Sequence, residues 1–314
     1  MALDYLLWSS ADPALPTRAA QDYLTIATQA AEYFINHFQN RSSDGRVVVW
    51  PAQILETYWC TFNTTLQTFE NCCANDSPTI SGMITLIAKL LDLPPALSTV
   101  AQRASWENFR STLMPALPIM GPSNNTVIAP AEVVSAGIHN SEGPELYAMH
   151  PHRVFTKGKQ VATGMDISLG ERTAAQSSFA QRGSGWSYGI NALALIGDTY
   201  GAAAQLLQRV HTPPAAGYRF PGFAPHEQDF DPSADHFANM NRAAQEMLVQ
   251  SGDDGFDDTT IVLFPAWPCE WDVSFKLWAP LRTSVEVEYV AGKLISLVVE
   301  PAERKSAVKF AACV

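Results

Sequence analysis

The sequence predicts a mainly α-helical chain followed by a C-terminal β-domain, and two observations carry that expectation. Up to about residue 250, apolar side chains recur at three- and four-residue steps in segments broken by Gly and Pro. Beyond the acidic turn GDDGFDD at 252–258, apolar and polar residues alternate singly, with turns every 8–12 residues. Strands and helices do not alternate, so no doubly wound parallel sheet is expected. The boundary is placed near residue 255, giving an α-domain over 1–255 and an antiparallel β-domain over 256–314.

Residues 16–39 read as an amphipathic helix, with Leu24, Ala27, Ala31, Phe34, Ile35 and Phe38 on one side and Thr17 placed to cap it. A turn at Asp44-Gly45 leads into the β-branched run Val47–Val49, which Pro51 ends. Ser77-Pro78 opens a second helix, because proline suits a first turn, and Pro94-Pro95 stops it. A third helix spans Ser98–Leu113, and SNNTVIAPAEVV at 123–134 is hairpin-like. Val47-Val-Val-Trp-Pro-Ala-Gln and Thr126-Val-Ile-Ala-Pro-Ala-Glu share one shape, an apolar strand followed by Pro-Ala and a polar residue.

Helical texture returns in SLGERTAAQSSFAQR, WSYGINALALIGDTY, AAAQLLQRV and SADHFANMNRAAQEMLVQ. The closing segments TTIVLFPAW, VSFKLWAP, SVEVEYV, KLISLVVEP and AVKFAACV give about five strands, with Val285, Val287 and Tyr289 facing away from Glu286 and Glu288. Helices paired by short loops suggest an α-hairpin toroid. About seven helices are fewer than the roughly twelve that a closed ring of six hairpins needs, so a partial toroid is expected.

Composition narrows the function. With 20 Lys+Arg against 31 Asp+Glu the net charge is −11, and no basic cluster exists to offset phosphate repulsion, so no nucleic-acid partner is expected. The longest apolar stretch, Met83–Leu97, is interrupted by Lys89, Asp92 and two prolines, and no membrane partner is expected either. The opening MALDYLLWSSADPALPTR carries Asp4 in its apolar part and no basic start, unlike a signal peptide. Five cysteines without CxxC spacing suggest neither a disulfide framework nor a zinc cluster, and adjacent Cys72 and Cys73 cannot easily pair with each other. Asn40-Arg-Ser, Asn63-Thr-Thr, Asn75-Asp-Ser and Asn124-Asn-Thr are nevertheless glycosylation acceptors in a secretory lumen, which leaves the compartment open.

Three chemistries compete. Gly185-Trp186-Ser187-Tyr188-Gly189 fits G-x-S-x-G, with Asp235 and His236 following in order, but a nucleophile elbow needs an apolar strand before the serine and the residues there are polar. Glu227, Asp229, Asp231 and Asp235 form an acidic cluster that lacks the order and central glycine of a calcium loop. His139, His150, His152, His226 and His236 show no HExxH, so neither metal nor cofactor is expected. Loop carboxylates flanked by aromatics are the stronger theme. Glycoside cleavage needs one protonated carboxyl to serve the leaving oxygen and a second group to activate water. Glu56, set among Trp50, Tyr58 and Trp59, fits that need, as do Glu132, Glu142, Glu145 and Asp235; solvated loop acids and, for Asp235, a helix cap are the simpler readings.

Several segments, taken in order, resemble one family. Pro51-x-x-x-x-Glu56 is followed by a Pro78-Thr79 helix start, ELYAMHPHR, GWSYGINALALIGD, Asp235-His236 with QEML, and LFPAWP-x-x-W before the strands. Together they are similar to the C-terminal part of the α/α-toroid glycosidases related to glycoside hydrolase family 95, the inverting α-L-fucosidases, and to their bacterial relatives. The resemblance implies a partial (α/α)6 toroid with a β-sandwich, acting on an oligosaccharide or glycoside without a cofactor. It puts Glu56 in the place of the general acid and Asp235 on the water-activating side. Trp50, Trp59, Glu132, Glu145, His150, Trp186 and His236 then become substrate-binding candidates. Ser81 and Gly143 depart from the family's Asp and Asn, and the family's asparagine-bearing WN-x-x-N segment has no counterpart, so a truncated barrel without that wall is expected, and with it doubtful activity. A non-catalytic carbohydrate-binding or scaffold protein is the alternative, and a serine hydrolase through Ser187 the third.

Overall fold

The computed structural model describes residues 18–134, 137–181, 187–211, 234–253 and 259–313. It is a mixture of helices and small, mostly antiparallel sheets, and none of the sheets closes into a barrel. Two compact units divide it: residues 1–154 with 255–257, and residues 155–254 with 258–314. All the described helices after residue 155 therefore share a unit with the C-terminal strands.

In the first unit, helix α1 (Arg18–His37) buries Leu24, Ala27 and Ala31, the stripe its sequence predicts. Three short strands follow: β1 (Thr61–Asn63), β2 (Thr68–Glu70) and β3 (Ala74–Asp76). Helix α2 (Ser77–Asp92) starts where Asp76 accepts the Thr79 N–H at 2.8 Å with Pro78 in the first turn, and stops before Pro94-Pro95. Ile80, Met83, Ile87 and Leu90 fill its inner face. Thr99 and Gln102 form a capping box for α3 (Val100–Asn108), which ends in one π turn, Phe109–Leu113. Trp106 and Phe109 bury the two turns. Strands β4 (Ile119–Met120), β5 (Val127–Ile128) and β6 (Ala131–Val133) close this unit; the stretch 123–134 is not a hairpin on itself, since β5 pairs back to β4 and β6 pairs with β3.

The run Val47–Val49 is not a strand. Its N–H groups go to three separate acceptors, the Leu113 carbonyl at 2.8 Å, the Asn40 carbonyl at 3.0 Å and the Asn75 side chain at 2.8 Å, so no ladder forms. The segment Cys73–Ser77 gathers the two Pro-Ala copies instead. Cys73 exchanges backbone bonds with Ala52, and Asn75 donates to the Val49 carbonyl, while Ala74 and Asp76 pair with Val133 and Ala131 of β6. Cys73 and Asn75 face one copy, and Ala74 and Asp76 the other. The Asn75 side chain, 4% exposed, completes the join by accepting from Val49 and donating to Glu132 Oε2 at 2.5 Å.

The second unit begins with α4 (Lys157–Thr163), capped by Thr156, and α5 (Ser168–Gln176). Helices α6 (Gly189–Ile196), α7 (Thr199–His211) and α8 (Ala234–Leu248) follow. Every residue of α6 is buried, which explains its almost uniformly apolar sequence. The helix expected to run to Gln250 stops at Leu248, and Val249–Ser251 forms strand β7. Gln250 decides this: its side chain donates to the Ala194 and Glu246 carbonyls and accepts the Gly158 N–H, while its backbone pairs with Val262. Strands β8 (Ile261–Leu263), β9 (Val273–Ala279), β10 (Thr283–Val290), β11 (Lys293–Glu300) and β12 (Val308–Phe310) occupy the five segments read from alternation. They form two three-stranded sheets, β11-β10-β9 and β12-β8-β7. One pairing corrects the antiparallel expectation: β12 runs parallel to β8. Phe264 links the sheets, its ring 5.1 Å from Tyr289 and 6.4 Å from Phe310.

The cysteine expectation is overturned as well. Cys60–Cys72 and Cys269–Cys313 are disulfides, with Cα separations of 4.4 and 5.0 Å, and only Cys73 is free and buried. Spacing concealed the first because the β1–β2 hairpin brings residues 12 apart side by side.

Two outcomes test this packing. Asn75→Ala removes both side-chain bonds and places alanine at φ 52°, so unfolding in urea is expected to show a loss of about 3 kcal/mol. His152 packs its ring against Gly82 in α2, and burial lowers its pKa to about 4 from 6.5. The folded state holds it neutral, so its stabilising share is complete above pH 6.5 and is lost as pH falls toward 4. Melting temperatures of wild type and His152→Leu are therefore expected to converge across that interval, and a constant difference would contradict it.

Candidate functional site

Two loops of the first unit meet at Thr57, and the candidate site is built on that contact. In the first loop, the Ile54 carbonyl accepts the N–H groups of Thr57 and Tyr58, both at 3.1 Å, and Ile54 N–H returns a bond to Tyr58. Ile54 and Tyr58 point inward and are buried, which leaves Glu56 and Trp59 on the outside. Thr57, itself fully buried, donates its hydroxyl to the Glu142 carbonyl at 2.9 Å and accepts the His139 N–H at 2.8 Å. The second loop, 139–142, is thereby fastened to the first.

This fastening brings three pairs together. Asn140 Nδ2 donates to Glu56 Oε2 at 2.8 Å, and the Glu56 N–H points to Glu142 Oε2 at 3.4 Å. The Trp59 and His139 rings stack with centroids 4.9 Å apart and planes 6° from parallel. An open cleft of about 540 Å³ runs beside the stack, lined by Trp59, Cys60, Thr61, Phe62, Asn71, Gly137 and His139. The Cys60–Cys72 disulfide closes the hairpin that forms one wall.

The two carboxylates sit in different surroundings. Glu56 is exposed. Glu142 is half-buried, and burial raises its pKa; the Glu56 N–H works against the shift and the Glu56 charge adds to it. The two carboxylates thus differ in surroundings: Glu142 is shifted toward holding a proton, and Glu56 accepts a side-chain hydrogen bond.

The other expected residues are spread over the chain. Trp50 is exposed on the first loop, six residues before Glu56. Glu132 lies on β6 and holds Asn75, a structural part in the join of the two Pro-Ala copies. Glu145 is buried in the 3-10 turn Pro144–Ala148; burial pushes the Tyr58 phenol up, and the Glu145 charge adds to that. His150 follows the same turn, its N–H bonded to the Leu146 carbonyl. Asp235 and His236 lie in the first turn of α8, in the second unit, and their side chains fall outside the described residues, as does Trp186. The acidic residues 227–231 lie outside them too.

Ser187 is buried ahead of α6, its Oγ directed at the Gly189 N–H at 3.5 Å and its carbonyl accepting from Arg209. What precedes it among the described residues is α5 and a turn, where an elbow needs a strand. Gly189 has a packing reason, since a Cβ there would overlap the Ala180 carbonyl. Among the described residues no group of three or more His, Cys, Asp or Glu side chains could hold a metal ion, and no helix is long and apolar enough to cross a membrane. Thr57 and Asn140 escaped sequence reasoning, because nothing in either local segment signals a bond between residues 84 or 85 apart.

No protein-family model matches the chain, and no curated protein matches it.

Thr57→Val keeps the shape of the keystone and removes its hydroxyl, leaving the Glu142 carbonyl without that donor. A loss of about 1–3 kcal/mol in urea unfolding is expected.

Proposed function

We propose that this chain is a glycoside-hydrolase-like protein that takes an oligosaccharide or glycoside, of the α-L-fucoside type that the resemblance implies. The observation that carries the reading is the Glu56–Glu142 pair beside the Trp59–His139 stack and its cleft. A flat aromatic pair offers its face to the C–H side of a sugar ring, and the carboxylates supply the proton chemistry. In this reading the helices correspond to part of an (α/α)6 toroid. The two sheets that share Phe264 correspond to its β-sandwich.

The reaction is inverting hydrolysis, in which one carboxyl protonates the leaving oxygen while a second group activates water on the opposite face of the sugar. The resemblance assigns the proton to Glu56. The surroundings favour Glu142 for that part, since burial raises its pKa and the Glu56 charge adds to the shift, against the opposing Glu56 N–H. The resemblance assigns the water-activating side to Asp235. A second reading, carbohydrate binding without turnover, is favoured by the Trp59–His139 platform, which faces solvent and needs no acid.

Assay of the purified chain on a panel of glycosides tests both. If Glu142 is the acid, Glu142→Gln is expected to lose about 100-fold or more on alkyl glycosides while keeping most activity on aryl glycosides whose acidic phenol leaves unaided. The same selective loss in Glu56→Gln would return the role to Glu56. Binding that Trp59→Ala abolishes, without turnover by wild type, would establish the second reading. Neither turnover nor binding would overturn both.

A further inference from the structure

We propose that Asn40 and Asn124 are N-glycan attachment sites and that Asn75, although it carries the same acceptor triplet, stays bare in the folded protein. This inference is independent of the carbohydrate-handling reading.

Two disulfides place the chain in an oxidising compartment, because thiols in a reducing cytosol stay unpaired. That compartment is where asparagine glycosylation occurs in secretory routes, and four acceptor triplets are present: Asn40-Arg41-Ser42, Asn63-Thr64-Thr65, Asn75-Asp76-Ser77 and Asn124-Asn125-Thr126. The fold sorts them. Asn40 follows the end of α1 and is exposed; of its own groups, only the backbone carbonyl is engaged in a bond across the fold, with the Val48 N–H. Asn124 is exposed in the turn joining β4 to β5, a hairpin tip that leaves room for a bulky substituent. Ser42 and Thr126, the hydroxyl residues that complete the two triplets, lie in the same turns, and each bonds a backbone carbonyl of its own segment.

Asn75 is the opposite case. It is 4% exposed, its amide oxygen accepts from Val49 and its amide nitrogen donates to Glu132. Asp76 and Ser77, the rest of the triplet, are 2% and 0% exposed. A sugar on that nitrogen would part the two Pro-Ala segments that the strand joins. Asn63 lies between these extremes, half-buried, with its oxygen accepting the Thr65 and Leu66 N–H groups and its nitrogen donating to Glu70.

The chemistry is complete with one co-reactant, a lipid-pyrophosphate-linked oligosaccharide. The Asn Nδ2 bonds to the sugar's anomeric carbon, the bond from that carbon to the pyrophosphate oxygen breaks, and one amide proton is lost as the lipid pyrophosphate departs. Transfer precedes folding, so burial acts as a filter: a chain modified at Asn75 cannot reach this fold, and secretion of folded protein selects against it.

The test is secretion of the full chain from a eukaryotic cell behind a cleavable leader, with peptide-N-glycosidase in heavy-oxygen water marking each formerly occupied asparagine for peptide mass spectrometry. Chain retained in the cell is read in the same way. Label at Asn40 and Asn124, with bare Asn75, is the expected result. Asn40→Gln and Asn124→Gln each then remove one glycan from the intact mass, and the protein still folds, as judged by its melting transition. An unlabelled Asn40 or Asn124, or label at Asn75 in the secreted protein, overturns the proposal.

Discussion

Five consecutive residues, Cys73 to Ser77, set the architecture of the first unit. Backbone groups of a strand point alternately to its two edges. Here each edge is filled by one copy of the Pro-Ala segment, through Ala52 and Val49 on one side and Ala131 and Val133 on the other. Ser77 adds a bond to the Pro130 carbonyl, and Asp76 caps α2 while buried, which raises its pKa. Chain entry, hairpin, helix start and return strand thus converge on one short stretch. An error there is an error everywhere in the unit, because buried backbone groups have no water to fall back on.

The second unit solves the same problem with a side chain. Gln250 satisfies the Ala194 and Glu246 carbonyls and the Gly158 N–H at one point, tying α4, α6 and α8 to the first strand of a sheet. Close approach is needed for this, and Gly158 allows it, since a Cβ would overlap the Ser251 carbonyl. The β10 strand shows the complementary logic of the pleat. Val285, Val287 and Tyr289 are buried, and Glu286 and Glu288 on the other face are exposed.

Where local physics decides, the sequence was legible. The periodicity of α1, the proline start of α2, the span of α3 with its π turn and the alternation in the last strands all appear close to where their patterns place them. Val47–Val49 misled because β-branched residues favour extended backbone whether or not a partner strand exists. The end of α8 misled because Gln250 is recruited from afar. The candidate site was half legible. Glu56, Glu142 and Trp59 were named from their neighbours, whereas Thr57 and Asn140, which position the carboxylates, act across 84 or 85 residues of chain and carry no local mark.

Cys72 and Cys73 give the first unit a choice with no intermediate. Cys72 reaches Cys60, and Cys73 points the other way into the interior, 1% exposed. Were Cys60 to take the neighbouring thiol instead, the strand would slip by one residue, and every group now serving one edge would serve the other. Asn75 would lose Val49 and Asp76 would lose its place beneath α2. The Cys60–Cys72 bond is therefore the pairing that agrees with this register of the strand, and it leaves the Cys73 thiol inside.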